Sequence, residues 1–390
     1  MPSITIALPA VLGGLGIGQG GLKVATSLAL EGWEVSTISV AGNGEGTPAA
    51  RDQTVALSPI MRAAVHTPIR LREGWLVNTH YVAFDLMARM KIRPADFFYG
   101  YSQGSLRSLA RARQLGATTV LHAATSYVPR MKEWVDAEYR SLGLRPAAIT
   151  RALCRRAVAE YEMADRVRAQ STMVRDTLVE GGVRSDKILL VPPAVDLETF
   201  VPAKGSPGRF TVAFVGAFSV RKGFHHLLKA WDLIGDADAR LILHGGAVDS
   251  WSKQLLDKYR SDPRVEVRTG SPIRTYGDAT VCVIPSVEDG FCYVALEAMA
   301  AGLPVIVSDR VGAKDIVEEG VSGFITPVGA AEAMAHRLGE LRDDSSRRRR
   351  MGVAARTRAE QHSFAAEGRG LSAALLEPAA AYATSAPLGA

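Results

Sequence analysis

Short β-branched apolar runs alternate with helical stretches along nearly all of this chain, and that alternation limits the folds open to it. "SITIALPAV" at 3–11 has the length of a strand. A glycine-rich loop follows, then the helical pattern "LKVATSLALEGW" and a second strand-like run, "EVSTISVA". Strand, loop, helix and strand within ~40 residues make a βαβ unit of a parallel sheet. "ADFFYGYS" and "TTVLHAAT" continue the alternation, with the helix "SLRSLARARQLG" between them. "PAAITRALCRRAVAEYEMA" reads as a long helix, and "DRVRAQS" and "KILLVPPAVD" as short strands.

The rhythm pauses at "VPPAVDLETFVPAKGSPG", where prolines and glycines mark a hinge. It then restarts with "FTVAFVGAF", "GFHHLLKAWDLI", "RLILHGG", "SKQLLDKYR", "RVEVRTGS", "VCVIPS", "GFCYVALEAMAAG" and "PVIVSD". Helices fill 331–360, with "RDDSSRRRRMG" a charged turn and solvated helix start between them. The pattern predicts two doubly wound α/β domains. Such sheets bind ligands in the crevice at the carboxyl ends of their strands. The final residues, "PAAAYATSAPLGA", read as poorly ordered.

Composition narrows the functional classes. A chain of 390 residues with 47% hydrophobic and 22% charged residues has enough apolar surface for about two cores. No apolar run approaches the roughly 18 residues that span a bilayer. The apolar N-terminus lacks a basic flank and a cleavage site, so it is expected to be a buried strand and loop rather than a signal peptide. Cys154, Cys282 and Cys292 form no CxxC, which fits a reducing cytoplasm and neither a disulfide framework nor a zinc site. Residues 1–190 hold 23 Lys/Arg against 16 Asp/Glu, while 191–390 hold 23 against 24. The basic character therefore lies in the first half, at Arg107, Arg111, Arg113, Arg151, Arg155, Arg156, Arg166 and Arg168. It is either an ordinary solvated surface or a field for an anionic lipid or glycan. No aromatic residues interleave with it in a nucleic-acid-binding pattern, so nucleic acid is not expected.

The chemistry concentrates in "EDGFCYVALEAMAAGLPVIVSD" at 288–309. "VCVIPS" is a strand, so Ser286–Phe291 is the loop at its carboxyl end. The backbone N–H groups near Gly290 and Phe291 are placed to bind an anion or a sugar hydroxyl. Asp289 and Glu297 lie eight residues apart, and both could face one ligand. The plainer alternative makes Asp289 a helix cap and Glu297 an ion-pair partner. "GLGIGQGG" contains G-x-G-x-x-G at Gly16, Gly18 and Gly21, with Glu34 at the start of the next strand. That is a weak dinucleotide-binding pattern and leaves the second half unexplained. His225, His226 and His244 lack metal-ligand spacing with nearby acids and read as structural or pocket-lining.

The acid-x7-Glu pattern inside "S-x-x-(E/D)-G-F-x5-E-A-M-A-x-G-x-P-V-I" resembles the donor-binding signature of retaining glycosyltransferases of the GT-B fold, family 4. "VGAFSVRKGF", the passage ending "PPAVDLETF", "GLPVIVSDRVGAKDIVEEGVSGFITPVG" and "GQGGLKVATSLALEGWEV" resemble other stretches of that family. The resemblance covers about residues 4–375. It implies two Rossmann-like domains facing across a cleft: an acceptor domain at 1–190 and a nucleotide-sugar donor domain at 191–361. A helix at 362–377 would cross back to the first domain, and 378–390 would be a tail.

The same resemblance suggests residue roles. Glu297 would accept hydrogen bonds from the donor ribose hydroxyls. Asp289 would face the transferred sugar, with Glu288 as the alternative, and the N–H groups of Gly290, Phe291 and Cys292 would reach the sugar and phosphates. Lys222, assisted by Arg221, would stabilise the diphosphate leaving group, beside Gly216 of the same loop. The arginine that usually follows the glycine is Ala217 here. Gly20 and Gly21, or alternatively Gly13 and Gly14, would let the first-domain backbone approach the phosphates. His122 would hydrogen-bond the reacting sugar, and Ser271 lies where the family's backbone pairs with the base. The donor would be UDP- or GDP-linked, the acceptor a glycan, a glycolipid or a metabolite. No cofactor and no bound metal are implied. A GT-B epimerase or hydrolase, an NAD-dependent oxidoreductase and a non-catalytic sugar-binding protein are the alternative readings. A cytoplasmic location is expected, with peripheral contact at the inner face of the membrane through the basic first domain.

Overall fold

The structure is a computed structural model that describes residues 1–14, 16–42, 51–55, 73–146, 149–203, 205 and 208–377. The expected tail at 378–390 lies outside the described residues. Two units emerge from the contacts: residues 1–136, 143–194 and 364–390 form the first, and residues 137–142 and 195–363 the second.

The first unit holds β1 (Ser3–Ala7), β2 (Val11–Leu12), β3 (Glu34–Ser39), β4 (Ala41–Gly42), β5 (Arg51–Thr54), β6 (Phe97–Tyr101), β7 (Thr118–Ala123), β8 (Arg166–Ala169) and β9 (Ile188–Leu190). Its main sheet is parallel, in the order β5-β3-β1-β6-β7-β8-β9. The helices are α1 (Ile17–Leu30), α2 (Glu73–Ala88), α3 (Leu106–Gln114), α4 (Val128–Ser141), α5 (Arg151–Met163) and α6 (Thr172–Glu180), the last turn of α4 from residue 137 being counted with the second unit. The run expected as one strand at 3–11 breaks at Pro9 into β1 and β2. Proline cannot donate a ladder hydrogen bond, so the sheet ends there. Helix α2 carries no clear apolar periodicity; α4 buries Val128, Met131 and Val135 at helical spacing, and neither helix was anticipated from the sequence.

The second unit contains β10 (Thr211–Val215), β11 (Arg240–His244), β12 (Val265–Arg268), β13 (Val281–Ile284), β14 (Val305–Ser308) and β15 (Gly323–Thr326). They form a parallel sheet in the order β12-β11-β10-β13-β14-β15. Helices α7 (Phe224–Ile234), α8 (Ser250–Asp257), α9 (Ile273–Asp278), α10 (Tyr293–Ala300), α11 (Ala331–Asp343) and α12 (Ser345–Glu360) belong to it. Every residue of β13 and β14 is buried. A parallel sheet covered on both faces selects for such continuous apolar runs rather than alternation. Two apolar clusters result, one built around α10 and one around α7 and Trp231.

The strand orders place the chemistry. In the second sheet the chain runs outward from β10 through β11 to β12, then returns to the other side of β10 with β13. The loops after β10 and β13 therefore leave neighbouring strands in the same direction, at the switch point where open α/β sheets bind ligands. In the first sheet the corresponding point lies between β1 and β6. The arginine run expected as a solvated turn is partly occupied. Asp344 caps α12 by accepting from the Arg347 backbone N–H, Arg347 lies over Phe324, and Arg348 lies over Phe210. The last helix, α13 (Phe364–Leu376), packs on α1 within the first unit.

Candidate active site

In the second unit, Gly223 is the tightest steric point. A Cβ there would lie 1.9 Å from the Pro285 carbonyl oxygen, and its φ of 66° is left-handed. Only glycine lets the end of the β10 loop touch the end of β13. Val287 N–H donates to the Arg221 carbonyl at 2.8 Å and reinforces that contact. The two loops are thereby locked in register, and two successive bases meet two successive acids. Arg221 Nη1 donates to the Glu288 carbonyl at 3.1 Å and lies 3.4 Å from its Oε2. Lys222 Nζ is ion-paired with Asp289 Oδ2. The Glu288 side chain is fully buried, whereas Asp289 and Lys222 keep some exposure. Burial opposes ionisation of Asp289, but the charges of Lys222 and Arg221 outweigh it and hold the carboxyl below its usual range.

The backbone of the acidic loop is itself anchored. Asp289 N–H donates to Arg310 O at 3.1 Å, and Gly312 N–H donates to Asp289 O at 2.9 Å. Gly290 and Phe291 follow, and Cys292 takes a left-handed φ of 72° as it opens α10. A non-glycine residue in that region is strained and must be held by its surroundings. Burial pushes the Cys292 thiol up to about 12, so it stays protonated and is no nucleophile. Glu297, one turn into α10, is buried and accepts from Tyr276 Oη at 3.0 Å. Burial, then the charge of Glu297, raise the Tyr276 pKa well above its ordinary value and keep the phenol a donor.

Tyr276 lies on α9, which begins directly after Ser271 and Pro272, so the Ser271 loop and Glu297 are joined through one side chain. Ser271 itself is exposed. His244, at the end of β11, secures that loop from beneath through Thr275 Oγ1 at 2.8 Å and Gly270 O at 3.0 Å. Gly216 ends β10 against Gly245, where a Cβ would stand 1.9 Å from the Gly216 oxygen.

In the first unit His122 ends β7, fully buried and stacked on Tyr101 with centroids 4.5 Å apart. Its Nδ1 is hydrogen-bonded to Tyr99 Oη. Arg168 Nη1 donates to that same phenol oxygen at 3.1 Å, and Arg168 is paired with Glu367. The phenol oxygen thus meets both the Arg168 guanidinium and the imidazole Nδ1. Burial first, then the Arg168 charge, keep His122 neutral, and burial pushes Tyr99 up to about 12. Nε2 has no hydrogen-bond partner among the described residues.

The glycine expectation changes. Gly20 and Gly21 lie inside α1 rather than in the loop before it. A Cβ on Gly21 would meet Leu8 Cδ1 at 2.6 Å, so close packing of α1 on the end of β1 accounts for it. Gly18 is tighter, with a Cβ 2.1 Å from the Val11 backbone oxygen, so packing accounts for Gly18 and a left-handed φ of 64° for Gly16. The loop glycines with positive φ are Gly13 and Gly16.

Sequence spacing missed Tyr276, Tyr99 and Arg168, because each reaches its partner across 21 residues or more. It also missed Glu138, 87 residues before the histidine pair that it touches.

Two parallel-sheet units of this topology define the GT-B fold. Sucrose-phosphate synthase from Thermosynechococcus elongatus superposes with a TM-score of 0.74 at 20% identity, over 95% of this chain and 98% of that one. Anabaena Alr3699/HepE, solved in complex with UDP-glucose, gives 0.72 at 17% identity over 95% and 99%. Residues 198–358, the bulk of the second unit, match the family model described as glycosyl transferases group 1. D-inositol 3-phosphate glycosyltransferase of Corynebacterium glutamicum is 29% identical in an alignment of 264 positions that covers 61% of this chain and 63% of that protein. The matches span about half to three-fifths of the length of such curated relatives.

Proposed function

We propose that the protein is a retaining glycosyltransferase of the family 4 type, moving a sugar from a UDP- or GDP-linked donor to a hydroxyl acceptor. The ordered pairing of Arg221 with Glu288 and Lys222 with Asp289, at the switch point of the second sheet, carries this reading. A diphosphate arriving there competes with Asp289 for the Lys222 ammonium. Asp289, released or shared, is then free to accept from a sugar hydroxyl. Glu288 is wholly buried and stays engaged by Arg221, so Asp289 is the acid assigned to the sugar. As the glycosidic bond breaks, negative charge grows on the leaving phosphate, and a fixed cation stabilises that state more than the ground state. The leaving phosphate takes the acceptor proton as the acceptor attacks the same face. No enzymic nucleophile is required, consistent with the protonated Cys292 thiol. Glu297, oriented by Tyr276, suits the ribose diol, and the unpartnered Nε2 of His122 suits a sugar hydroxyl. The UDP-glucose held by the Anabaena structural neighbour supports a nucleotide-sugar donor.

The direct test is a thermal-shift screen of the full chain against UDP, GDP, ADP and their sugars, followed by proton NMR of any glycoside formed. Binding to the native state raises the melting temperature by mass action. The expected result is stabilisation by one nucleotide diphosphate and a product with the anomeric configuration of the donor. No shift with any of them overturns the reading.

The basic first unit supports peripheral contact with an anionic membrane. Arg107 and Arg111 on α3 and Arg151 and Arg155 on α5 are all exposed, and the two helices pack against each other. No helix among the described residues is long and apolar enough to cross a membrane. Flotation with anionic but not neutral vesicles is expected, and equal binding to both removes the electrostatic role.

A further inference from the structure

The second unit contains a cluster that the glycosyl-transfer reading does not use. His225 and His226 are consecutive residues in the first turn of α7, both almost fully buried. Both turn Nε2 toward one carboxylate, that of Glu138, in the segment 137–142 of the same unit. His225 Nε2 lies 3.0 Å from Glu138 Oε1, and His226 Nε2 lies 3.2 Å from that oxygen. The rings are close neighbours, with centroids 3.9 Å apart. His226 Nε2 nevertheless makes no hydrogen bond, with Glu138 or with any other described residue, although it is buried. Leaving a buried ring nitrogen unsatisfied beside a carboxylate is costly unless something else occupies the space between them. One ligand atom from each of the three residues lies within 4.8 Å of the others.

From this arrangement we infer that Glu138, His225 and His226 form a site for a divalent transition-metal ion, with zinc the best match. Zinc binds imidazole nitrogen and carboxylate oxygen at about 2.0–2.2 Å in tetrahedral geometry, which sets neighbouring ligand atoms roughly 3.3 Å apart. The two measured separations to Glu138 are close to that edge. Two imidazoles and one carboxylate are the donors that favour zinc, or cobalt as its spectroscopic substitute, over calcium or magnesium. Three protein ligands leave one position for water. Room for it exists on the His226 side, because Gly329 faces that ring without a side chain and even a Cβ there would stay 3.9 Å from Nε2.

The site's placement suggests what it does. His225 and His226 follow Gly223 by two and three residues, directly after the Arg221–Lys222 pair. An ion there ties the start of α7 to segment 137–142 and holds the end of the loop that carries those cations. It is a structural clamp, not a participant in the transfer step.

The test uses the full chain, freed of metal with a chelator and titrated with Co²⁺ alone and Zn²⁺ alone. The expected result is one Co²⁺ per chain with the visible absorption of a tetrahedral N/O site, displaced by Zn²⁺. Zn²⁺ should raise the melting temperature of the wild type by several degrees. Glu138→Gln and His226→Gln, each checked by circular dichroism, should lose the cobalt band and the zinc-dependent shift. Absence of the cobalt band in the wild type overturns the proposal, since that measurement needs no variant. Retention of one-to-one binding in folded Glu138→Gln or His226→Gln also overturns it, and leaves the cluster as a hydrogen-bonded contact only.

Discussion

Arg221 and Lys222 are adjacent in sequence yet serve different acids, because the loop that bears them meets Glu288 and Asp289 in matching order. Glu288 is wholly buried and held through both its carbonyl and its carboxylate by Arg221, whereas Lys222 and Asp289 meet only through their charged ends, so theirs is the pair a ligand can open. Lys222→Ala should therefore lower kcat by about 10²–10³-fold, the range for removing one charge-stabilising group, with little change in fold. Steady-state kinetics with saturating donor checks this, and an unchanged kcat takes Lys222 out of the reaction. Glu297→Ala should abolish turnover and also leave the buried Tyr276 hydroxyl without its acceptor. An orphaned buried donor costs about 1–3 kcal/mol, to be read by chemical denaturation. A variant that loses activity with no loss of stability would show that Tyr276 finds another partner.

Among the elements, the turn between β6 and α3 shows how a buried acid shapes a backbone. Gln103 holds a left-handed φ of 79°. Glu160 of α5 supports it by accepting from the N–H groups of Gln103 and Ser105. Asp85 of α2 accepts from the N–H groups of Arg107 and Ser108 at 2.8 Å, and Arg156 pairs with both acids. Burial dominates at Glu160 and, against those hydrogen bonds and Arg156, raises its pKa from 4.5 to about 7. The folded protein thus holds this proton more tightly than the unfolded chain does. Its contribution to stability falls as pH rises from 4.5 through 7 and is flat above that. Glu160→Gln carries no titrating proton, so the wild type should lose stability relative to this variant between pH 5 and pH 7. Denaturation midpoints at pH 5, 6 and 7 give the comparison, and parallel curves would place the titration elsewhere.

On the scale of the whole molecule, the last helix returns to the unit in which the chain began. Glu367 of α13 accepts from Ser27 Oγ of α1 at 2.7 Å and pairs with Arg168, both side chains almost wholly buried. Removing one member of a buried pair leaves an uncompensated charge, so Glu367→Ala should destabilise the first unit by about 3–5 kcal/mol. With two units the melting curve need not be two-state. The loss should fall on one transition, and a variant that lowers both equally would contradict the division at 363/364. The same charge network reaches Tyr99 and His122, so this variant also tests how the imidazole is held.

The fold class and the second-unit loops were legible because their signals are local. Strand and helix periodicity, the Arg221-Lys222-Gly223 turn and the Glu288–Glu297 stretch each lie within a few tens of residues. The parallel order of the strands, and hence the meeting of the β10 and β13 loops, follows from a topology that such alternation strongly favours. The rest required tertiary structure, because it depends on contacts between distant segments. No spacing rule joins Tyr276 to Glu297, Arg168 to Tyr99 or Glu138 to His225. Nor could composition show that Gly21 lies inside a helix and packs against Leu8. Local sequence determined which elements form and which residues reach the strand ends. Packing decided which of those residues are paired, which are buried and which are left with an open hydrogen-bonding position.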